Sequence, residues 1–259
     1  MSPTSNTVYF VTGANRGIGY ALAATLAARP NTTVFAGARD PAAQSLKDLA
    51  AKHPNVHALK VTNGDVANNE AAISEIKRIA GRLDVLIPNA GMLKYMGPLA
   101  TTPPAELRAH WEVNTLGLLV LFQAAHALLL ASPTHTPVLA YISSASGSIG
   151  KYGHYFGTSA CAYGSSKAAA NFLVKVLDAE HPQLVAMAIH PGWVATDMGN
   201  VGAEPNGMSA APVTVDDSVQ GILSRIDGAT KEKSSGRFWN FAASNGGNVW
   251  DNPTEELTW

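Results

Sequence analysis

Short apolar runs alternate along the whole chain with segments whose apolar residues recur every three or four positions. The first kind predicts strands, the second helices buried by one face. Residues 8–12 predict a first strand, and a helix follows over about 18–28, stopped by Pro30. Second and third strands are expected at 32–38 and 56–61. Ala72, Ile73, Ile76 and Ile79 share one face of a helix over 68–80, ahead of a short fourth strand at 85–87. A long helical segment over about 105–130 precedes a fifth strand at 138–142, a helix over 163–179 and a sixth strand at 184–189. Thr214 and Asp217 have the spacing of a capping box and predict a helix through Ile226; residues 238–241 read as a last strand.

The strands are nearly continuous in apolar residues, which is the pattern of strands buried on both faces. Strand–helix alternation then implies an α/β fold: one doubly wound parallel sheet of about seven strands with helices on both faces. No linker and no internal repeat interrupts it, so one domain over 1–259 is expected. Loops rich in Gly and Pro at 147–157 and 199–212 follow the fifth and sixth strands, where the ligand crevice of such a sheet opens.

Composition narrows the function. Apolar residues make up 46% of 259 and charged residues 14%, enough for a sizeable core. Lys plus Arg (18) nearly cancels Asp plus Glu (19), giving a net charge of −1 that argues against a nucleic-acid partner. The first seven residues lack a basic segment followed by an apolar one, so no signal peptide is expected. The longest apolar stretch, 116–130, is broken by Gln123 and His126 and falls short of the ~20 residues of a membrane span. No membrane association and a cytoplasmic location are therefore expected. The only cysteine, Cys161, rules out an internal disulfide, and the eight histidines show no metal-binding spacing.

The first candidate chemistry is the turn Thr12-Gly13-Ala14-Asn15-Arg16-Gly17-Ile18-Gly19, which follows a strand and opens a helix. Its glycines allow a tight turn and close approach of a pyrophosphate, which the helix N-terminus attracts. A Rossmann-type dinucleotide site is the expectation. An NAD enzyme usually carries an acidic residue at the end of the second strand, where this chain has Ala38 followed by Arg39. Arg39 and Arg16 suit a 2′-phosphate, which accepts bidentate guanidinium bonds, so NADP(H) is the expected cofactor. The alternative is that Arg39 only pairs with Asp40. Asp65-Val66 stand where an adenine would lie, although Asp65 is equally placed to cap a helix. Asn89-Ala90-Gly91 would let the backbone pass beneath the cofactor.

The second is Tyr163 with Lys167, four residues apart and so on one helix face. A tyrosine with its ordinary pKa near 10 is a poor acid–base catalyst at neutrality. A nearby ammonium stabilises the phenolate, so Lys167 is expected to bring the Tyr163 pKa down while also bonding the nicotinamide ribose. Ser144, closing the fifth strand, can bond a substrate oxygen as it gains charge, with Ser143 competing for that role.

These motifs in this order resemble the short-chain dehydrogenase/reductase family, over essentially the full length. The shared features are the TGxxxGxG turn, the Asn89-Ala90-Gly91 segment, Asn114, Ser144 and the YxxxK pair. The resemblance implies that Asn114 holds a water in a proton relay from Lys167. It also implies a cofactor lined by Asn15 and Ile18 of the turn and by Pro191, Gly192, Val194 and Thr196 after the sixth strand. Two departures are Pro88 ahead of Asn89 and the nineteen positions between Ser144 and Tyr163, which place an insertion within 151–161 at the pocket mouth.

The phrase Ile189-His190-Pro191-Gly192-Trp193-Val194-Ala195-Thr196-Asp197-Met198 and the end of strand two look like one subgroup. It is the carbonyl reductases that include fungal norsolorinic acid-type ketoreductases. This implies NADPH-dependent reduction of a bulky, often aromatic or polyketide-type, ketone or aldehyde. Met92, Tyr95, Tyr155, Trp193 and Met198, with Met96 and Met208 beside them, are the candidate substrate residues; His154 adjoins Tyr155. Cys161 reads as packing and His190 as ordering its loop. The family also implies a homodimer or homotetramer, which the apolar segment ending at Trp259 could join. Two other functions fit the fold: a biosynthetic isomerase, dehydratase or cyclase using NADP(H) non-classically, and a dinucleotide-sensing protein without turnover.

Overall fold

The computed structural model describes residues 6–134, 136–152, 160–203, 207–241 and 256–259. Seven strands form one sheet, β1 (Thr7–Thr12), β2 (Thr32–Ala38), β3 (Val56–Lys60), β4 (Val85–Ile87), β5 (Val138–Ile142), β6 (Val185–His190) and β7 (Phe238–Asn240). They lie in the order β3-β2-β1-β4-β5-β6-β7, and every pair is parallel, as predicted. The strand order reverses between β1 and β4, which opens a crevice at their carboxyl ends.

Because successive strand residues point to opposite faces, each strand supplies two cores. Val8 and Phe10 of β1 face the helices α3 (Val66–Ala80), α5 (Gly117–Leu130) and α6 (Cys161–Glu180), packing with Ile76, Leu121 and Val174. Tyr9 and Val11 face α1 (Gly17–Ala27), α2 (Gln44–Lys52) and, farther along the sheet, α8 (Val215–Asp227), through Leu22, Leu46 and Ile222. Three shorter helices complete the set: α4 (Pro104–Trp111), α7 (Asp197–Asn200) and α9 (Lys231–Ser234).

Helix starts follow local chemistry. The Asp65 carboxylate accepts the Asn68 N–H at 3.0 Å, so α3 begins two residues before the apolar periodicity does. Thr214 caps α8 by accepting the Asp217 N–H at 3.0 Å, the capping position its spacing predicts. The segment read as one helix over 105–130 is continuous from Pro104 to Leu130 but contains a π-helical turn at Glu112–Leu116. At 27 residues it is long and apolar enough to cross a membrane by length and composition, whereas the sequence reading counted only its last fifteen. In this fold it packs in the core through Leu118, Leu121, Ala125, Leu128 and Leu129.

Two polar ties hold the edges of this arrangement. Asp84, 3% exposed, accepts the Val8 N–H at 2.8 Å and the Ser132 hydroxyl at 2.6 Å, and pairs with Arg82. Those partners offset the cost of burying its charge. The segment Glu256–Trp259 returns to the sheet edge: Leu257 donates to the Phe238 carbonyl and is buried, and the Trp259 ring stacks on Phe238 at 5.6 Å. The Ser148 hydroxyl donates to the Thr258 carbonyl at 2.6 Å, and the Gly150 N–H to that of Trp259 at 3.1 Å. This segment, expected to join an oligomer interface, is thus packed against its own sheet.

Candidate active site

The glycine turn lies at the crevice. Gly13 takes φ +67°, a left-handed conformation that glycine adopts without strain, and a Cβ there would stand 2.9 Å from the Ala90 Cα. A Cβ at Gly19 would run into the Gly13 carbonyl oxygen and the Asn89 amide. The turn is pinned to the loop after β4: the Thr12 hydroxyl accepts the Asn89 and Ala90 N–H groups, both at 3.1 Å, and the Asn89 side chain donates to the Thr12 carbonyl at 2.9 Å. Asn63, which carries no signal in the sequence, donates to the carbonyls of Ala90 (3.1 Å) and Val113 (2.9 Å) and so ties the loops after β3 and β4 to the π turn. Ser45 of α2 holds the Asn15 carbonyl at 2.7 Å. These contacts build a backbone cradle open at the N-terminus of α1, the form that accepts a pyrophosphate.

The two arginines differ. Arg39 is exposed at the end of β2, and among the described residues it has neither an ion pair nor a hydrogen bond. Asp40, the partner in the alternative reading, instead accepts the Ala42 N–H at 2.9 Å. Arg16 pairs with Asp197 at 3.0 Å across the crevice, with side chains 68% and 84% exposed. Asp65 serves as the cap of α3, and beside it Val66 is 54% exposed, leaving an apolar surface at the position expected for an adenine.

The residues of the chemical half converge from β5, the π turn and α6. Ser144 lies in extended backbone just past β5, its oxygen accepting the Ser146 N–H at 3.2 Å and its hydroxyl hydrogen-bonded to the Tyr163 side chain. Ser143 is committed elsewhere: its hydroxyl donates to the Asn171 side chain at 2.6 Å, and Asn171 in turn donates to the Gly147 carbonyl at 3.4 Å. Geometry thus separates the two serines that sequence left in competition. Asn171, missed from sequence, stands one helical turn beyond Lys167. His190, expected to order its own loop, accepts the Ala145 N–H of the loop after β5 at 3.2 Å.

Lys167 is 3% exposed and donates to the Ile142 carbonyl at 2.8 Å. Burial lowers its pKa to about 7. Tyr163 moves the opposite way from the expectation. Burial pushes its pKa up to about 12, and the neighbouring Ser144 hydroxyl only partly offsets this. The Lys167 nitrogen is 5.8 Å from the Tyr163 ring centre, and a lysine partly neutral at pH 7 gives a phenolate little support.

Asn114 grips the loop after β4. Its amide donates to the Met92 carbonyl and the Ser166 hydroxyl, both at 2.9 Å, and its oxygen accepts the Met92 N–H at 2.8 Å. The side chain is used up in holding the loop after β4. Its main-chain carbonyl accepts the Tyr141 hydroxyl at 3.2 Å.

A mostly apolar cleft opens over Ser144 and Tyr163. Trp193 and Met198 line it as expected, together with Ile18, Pro191, Gly192, Val194 and Thr196. From the loop after β4 it is Leu93 and Met96, not Met92 and Tyr95, that reach the cleft. The reason is local: Asn114 grips the Met92 backbone, and the Tyr95 hydroxyl turns away to the Thr101 carbonyl at 3.3 Å. The Trp193 indole donates to the Gly199 carbonyl at 2.7 Å, which fixes the ring as a wall. The Cys161 thiol and the Thr102 hydroxyl share a hydrogen bond at 3.0 Å. Tyr155 and His154 lie outside the described residues, as does most of the insertion. Among the described residues no group of His, Cys, Asp or Glu is arranged to hold a metal.

Comparison with known proteins agrees with this geometry. The sequence profile of the short chain dehydrogenase family matches residues 7–206. The chain is 38% identical over 243 residues to the norsolorinic acid ketoreductase of Aspergillus parasiticus, covering 91% of this chain and 89% of that protein. It is 37% identical over 240 residues to norsolorinic acid ketoreductase nor1 of Dothistroma septosporum, covering 91% and 90%. Among solved structures, the NADPH-bound carbonyl reductase from chicken fatty liver superposes with a TM-score of 0.84 at 30% identity, covering 100% of this chain and 96% of that one.

Proposed function

The chain belongs to the short-chain dehydrogenase family of oxidoreductases, and from that premise we propose that it is an NADPH-dependent carbonyl reductase acting on a bulky ketone or aldehyde of aromatic or polyketide type. The observation that carries this reading is the apolar cleft over Ser144 and Tyr163, with Lys167 buried behind them and the glycine cradle alongside. The names of the relatives, a norsolorinic acid ketoreductase and an NADPH-bound carbonyl reductase, support it.

The residues fit the cofactor. Gly13, Gly17 and Gly19, with Asn15, Ile18 and the Asn89-Ala90-Gly91 backbone, would hold the pyrophosphate and adjoining ribose. Arg39 and Arg16 would take the 2′-phosphate, Asp65 and Val66 the adenine, and Pro191, Gly192, Val194 and Thr196 the nicotinamide end. When bound, the nicotinamide supplies a hydride to the carbonyl carbon.

The chain's own groups manage the other half of the reaction. Ser144, hydrogen-bonded to Tyr163 in the free protein, turns its hydroxyl proton toward the substrate oxygen and holds the carbonyl in place. Tyr163 protonates that oxygen as it becomes an alkoxide. Burial raises its pKa to about 12, so at neutrality it carries its proton and yields it only to a group as basic as the forming alkoxide, while the ratio of the two cofactor forms sets the direction. Lys167 replenishes the proton and bonds the ribose, and Asn114 fixes the loop against which these groups pack. Trp193, Met198, Leu93 and Met96 exclude water with apolar surface that suits a bulky substrate.

In this reading residues 1–259 act as one dinucleotide-binding and catalytic domain in the cytoplasm, with Cys161 unpaired. Exposed apolar side chains at Trp111, Leu119 and Phe172 support association into a homodimer or homotetramer. The test follows NADPH oxidation against a panel of aliphatic, aromatic and polycyclic ketones, with Tyr163→Phe in parallel. Turnover that falls by a thousandfold or so in Tyr163→Phe is expected; undiminished turnover in the variant refutes the mechanism.

A further inference from the structure

Tyr141 is the largest fully buried side chain, at 2% exposure on β5, three residues before Ser144, and the mechanism above gives it no part. Two contacts set it apart from an ordinary core residue. Its hydroxyl donates at 3.2 Å to the Asn114 main-chain carbonyl, inside the π turn. A π turn shifts the helical hydrogen-bond ladder and leaves carbonyls in need of other donors. Its ring lies beneath the buried Lys167 nitrogen, 4.6 Å from the ring centre and closer than the Tyr163 ring at 5.8 Å.

We propose that Tyr141 is a positioning residue for the reaction, its ring face holding Lys167 in the charged form and its hydroxyl locking the Asn114 carbonyl. The inference rests on the reductase reading for its catalytic consequence but not for the contact itself. A ring face attracts an ammonium, and the attraction grows when water is excluded. At Lys167 this is needed. Among the described residues, the titratable groups facing it are Tyr141 from β5 and Tyr163 from its own helix; the π turn and the loop after β4 present the uncharged Asn114 and Gly91. No carboxylate shifts Lys167, and burial alone drives it toward neutrality. The Ile142 carbonyl and the Tyr141 ring are the groups that favour its charge.

The test separates ring from hydroxyl without altering size. In Tyr141→Phe the ring remains; in a second variant 3,4,5-trifluorophenylalanine replaces Tyr141, which keeps the shape and drains the ring face of electron density. Lys167 is titrated by NMR in protein carrying 13Cε-labelled lysine and no cofactor, with its resonance assigned by Lys167→Arg. Tyr141→Phe is expected to leave the Lys167 midpoint within about 0.3 pH units of wild type, and the fluorinated variant to lower it by about 1–1.5 units, the size of a desolvated cation–π contact. The alkaline limb of the kcat profile for NADPH-dependent reduction should move down by the same amount in the fluorinated variant. Loss of the hydroxyl in Tyr141→Phe should lower kcat several-fold without moving that limb, because the Asn114 carbonyl loses its donor. Equal Lys167 midpoints in the phenylalanine and trifluorophenylalanine proteins overturn the proposal. If no ketone is turned over by wild type, the reductase reading fails, while the titration still decides whether Tyr141 tunes Lys167.

Discussion

Replacing Arg39 by alanine tests the cofactor assignment at its most exposed point. Arg39 has no partner to lose among the described residues, so the fold should be indifferent to its removal. A bound 2′-phosphate would lose charge-assisted hydrogen bonds worth about 1.5–3 kcal/mol. At about 1.36 kcal/mol per tenfold, kcat/KM for NADPH should fall roughly 10- to 150-fold. NADH lacks the phosphate, and its kcat/KM should stay within about twofold. Arg16 must first leave Asp197, an exposed pair worth about 0.2–1 kcal/mol. Arg16→Ala should therefore cost about two- to fivefold less than Arg39→Ala, and Asp197→Asn should improve NADPH binding slightly. The assay is initial-rate kinetics with both cofactors at one ionic strength, since salt screens these contacts. An equal loss for NADPH and NADH, or none for NADPH, would refute the assignment.

Other outcomes follow from the packing around the site. Ser144→Ala should lower kcat about 10²–10³-fold, the usual cost of an oxyanion donor, whereas Ser143→Ala should keep activity within a few-fold and lose about 1 kcal/mol of stability; the reverse ranking would exchange their roles. Gly19→Ala should reduce NADPH affinity more than tenfold, measured by fluorescence titration, because the added Cβ pushes into the Gly13 carbonyl and opens the cradle. Lys167 sits at about 7 in the native protein and near 10.5 when unfolded, so between those values the unfolded chain binds the extra proton and stability rises with pH. Lys167→Met should consequently be more stable than wild type by a few kcal/mol at pH 6 and by clearly less at pH 9, read from urea denaturation without cofactor. A constant difference across that range would contradict the lowered Lys167 pKa.

The sheet was legible because its evidence is repetitive: seven apolar runs, the helical periodicities between them, and a glycine turn whose spacing has a steric cause. The candidate catalytic side chains stood out because their types and spacing carry chemistry, and the fold brings Ser144, Tyr163 and Lys167 together. What sequence did not reveal depends on contacts between distant segments. Asn63 and Asn171 are ordinary loop and helix residues until folding sets them against Val113 and Ser143. The one signal for Asn171 was its place four residues after Lys167, on the same helix face. The direction of the Tyr163 shift was missed because spacing shows that a lysine is near, not that both groups are dry. Leu93 reaches the cleft beside the expected Met96, in place of Met92 and Tyr95, because Asn114 grips a loop without periodicity.

The pairing of β1 with β4 has a consequence for how the chain reaches its fold. Tyr9 aligns with Val85 and Val11 with Ile87, so the two central strands close a loop of more than seventy residues. As the chain leaves the ribosome, β1, β2 and β3 can assemble, but β1 keeps an apolar open edge until residues 84–87 arrive. Asp84 then supplies the carboxylate that secures the Val8 N–H, and Thr12 engages Asn89. That closure spans more sequence than any other pairing in the sheet, and refolding at micromolar concentration should compete with aggregation through the waiting edge of β1.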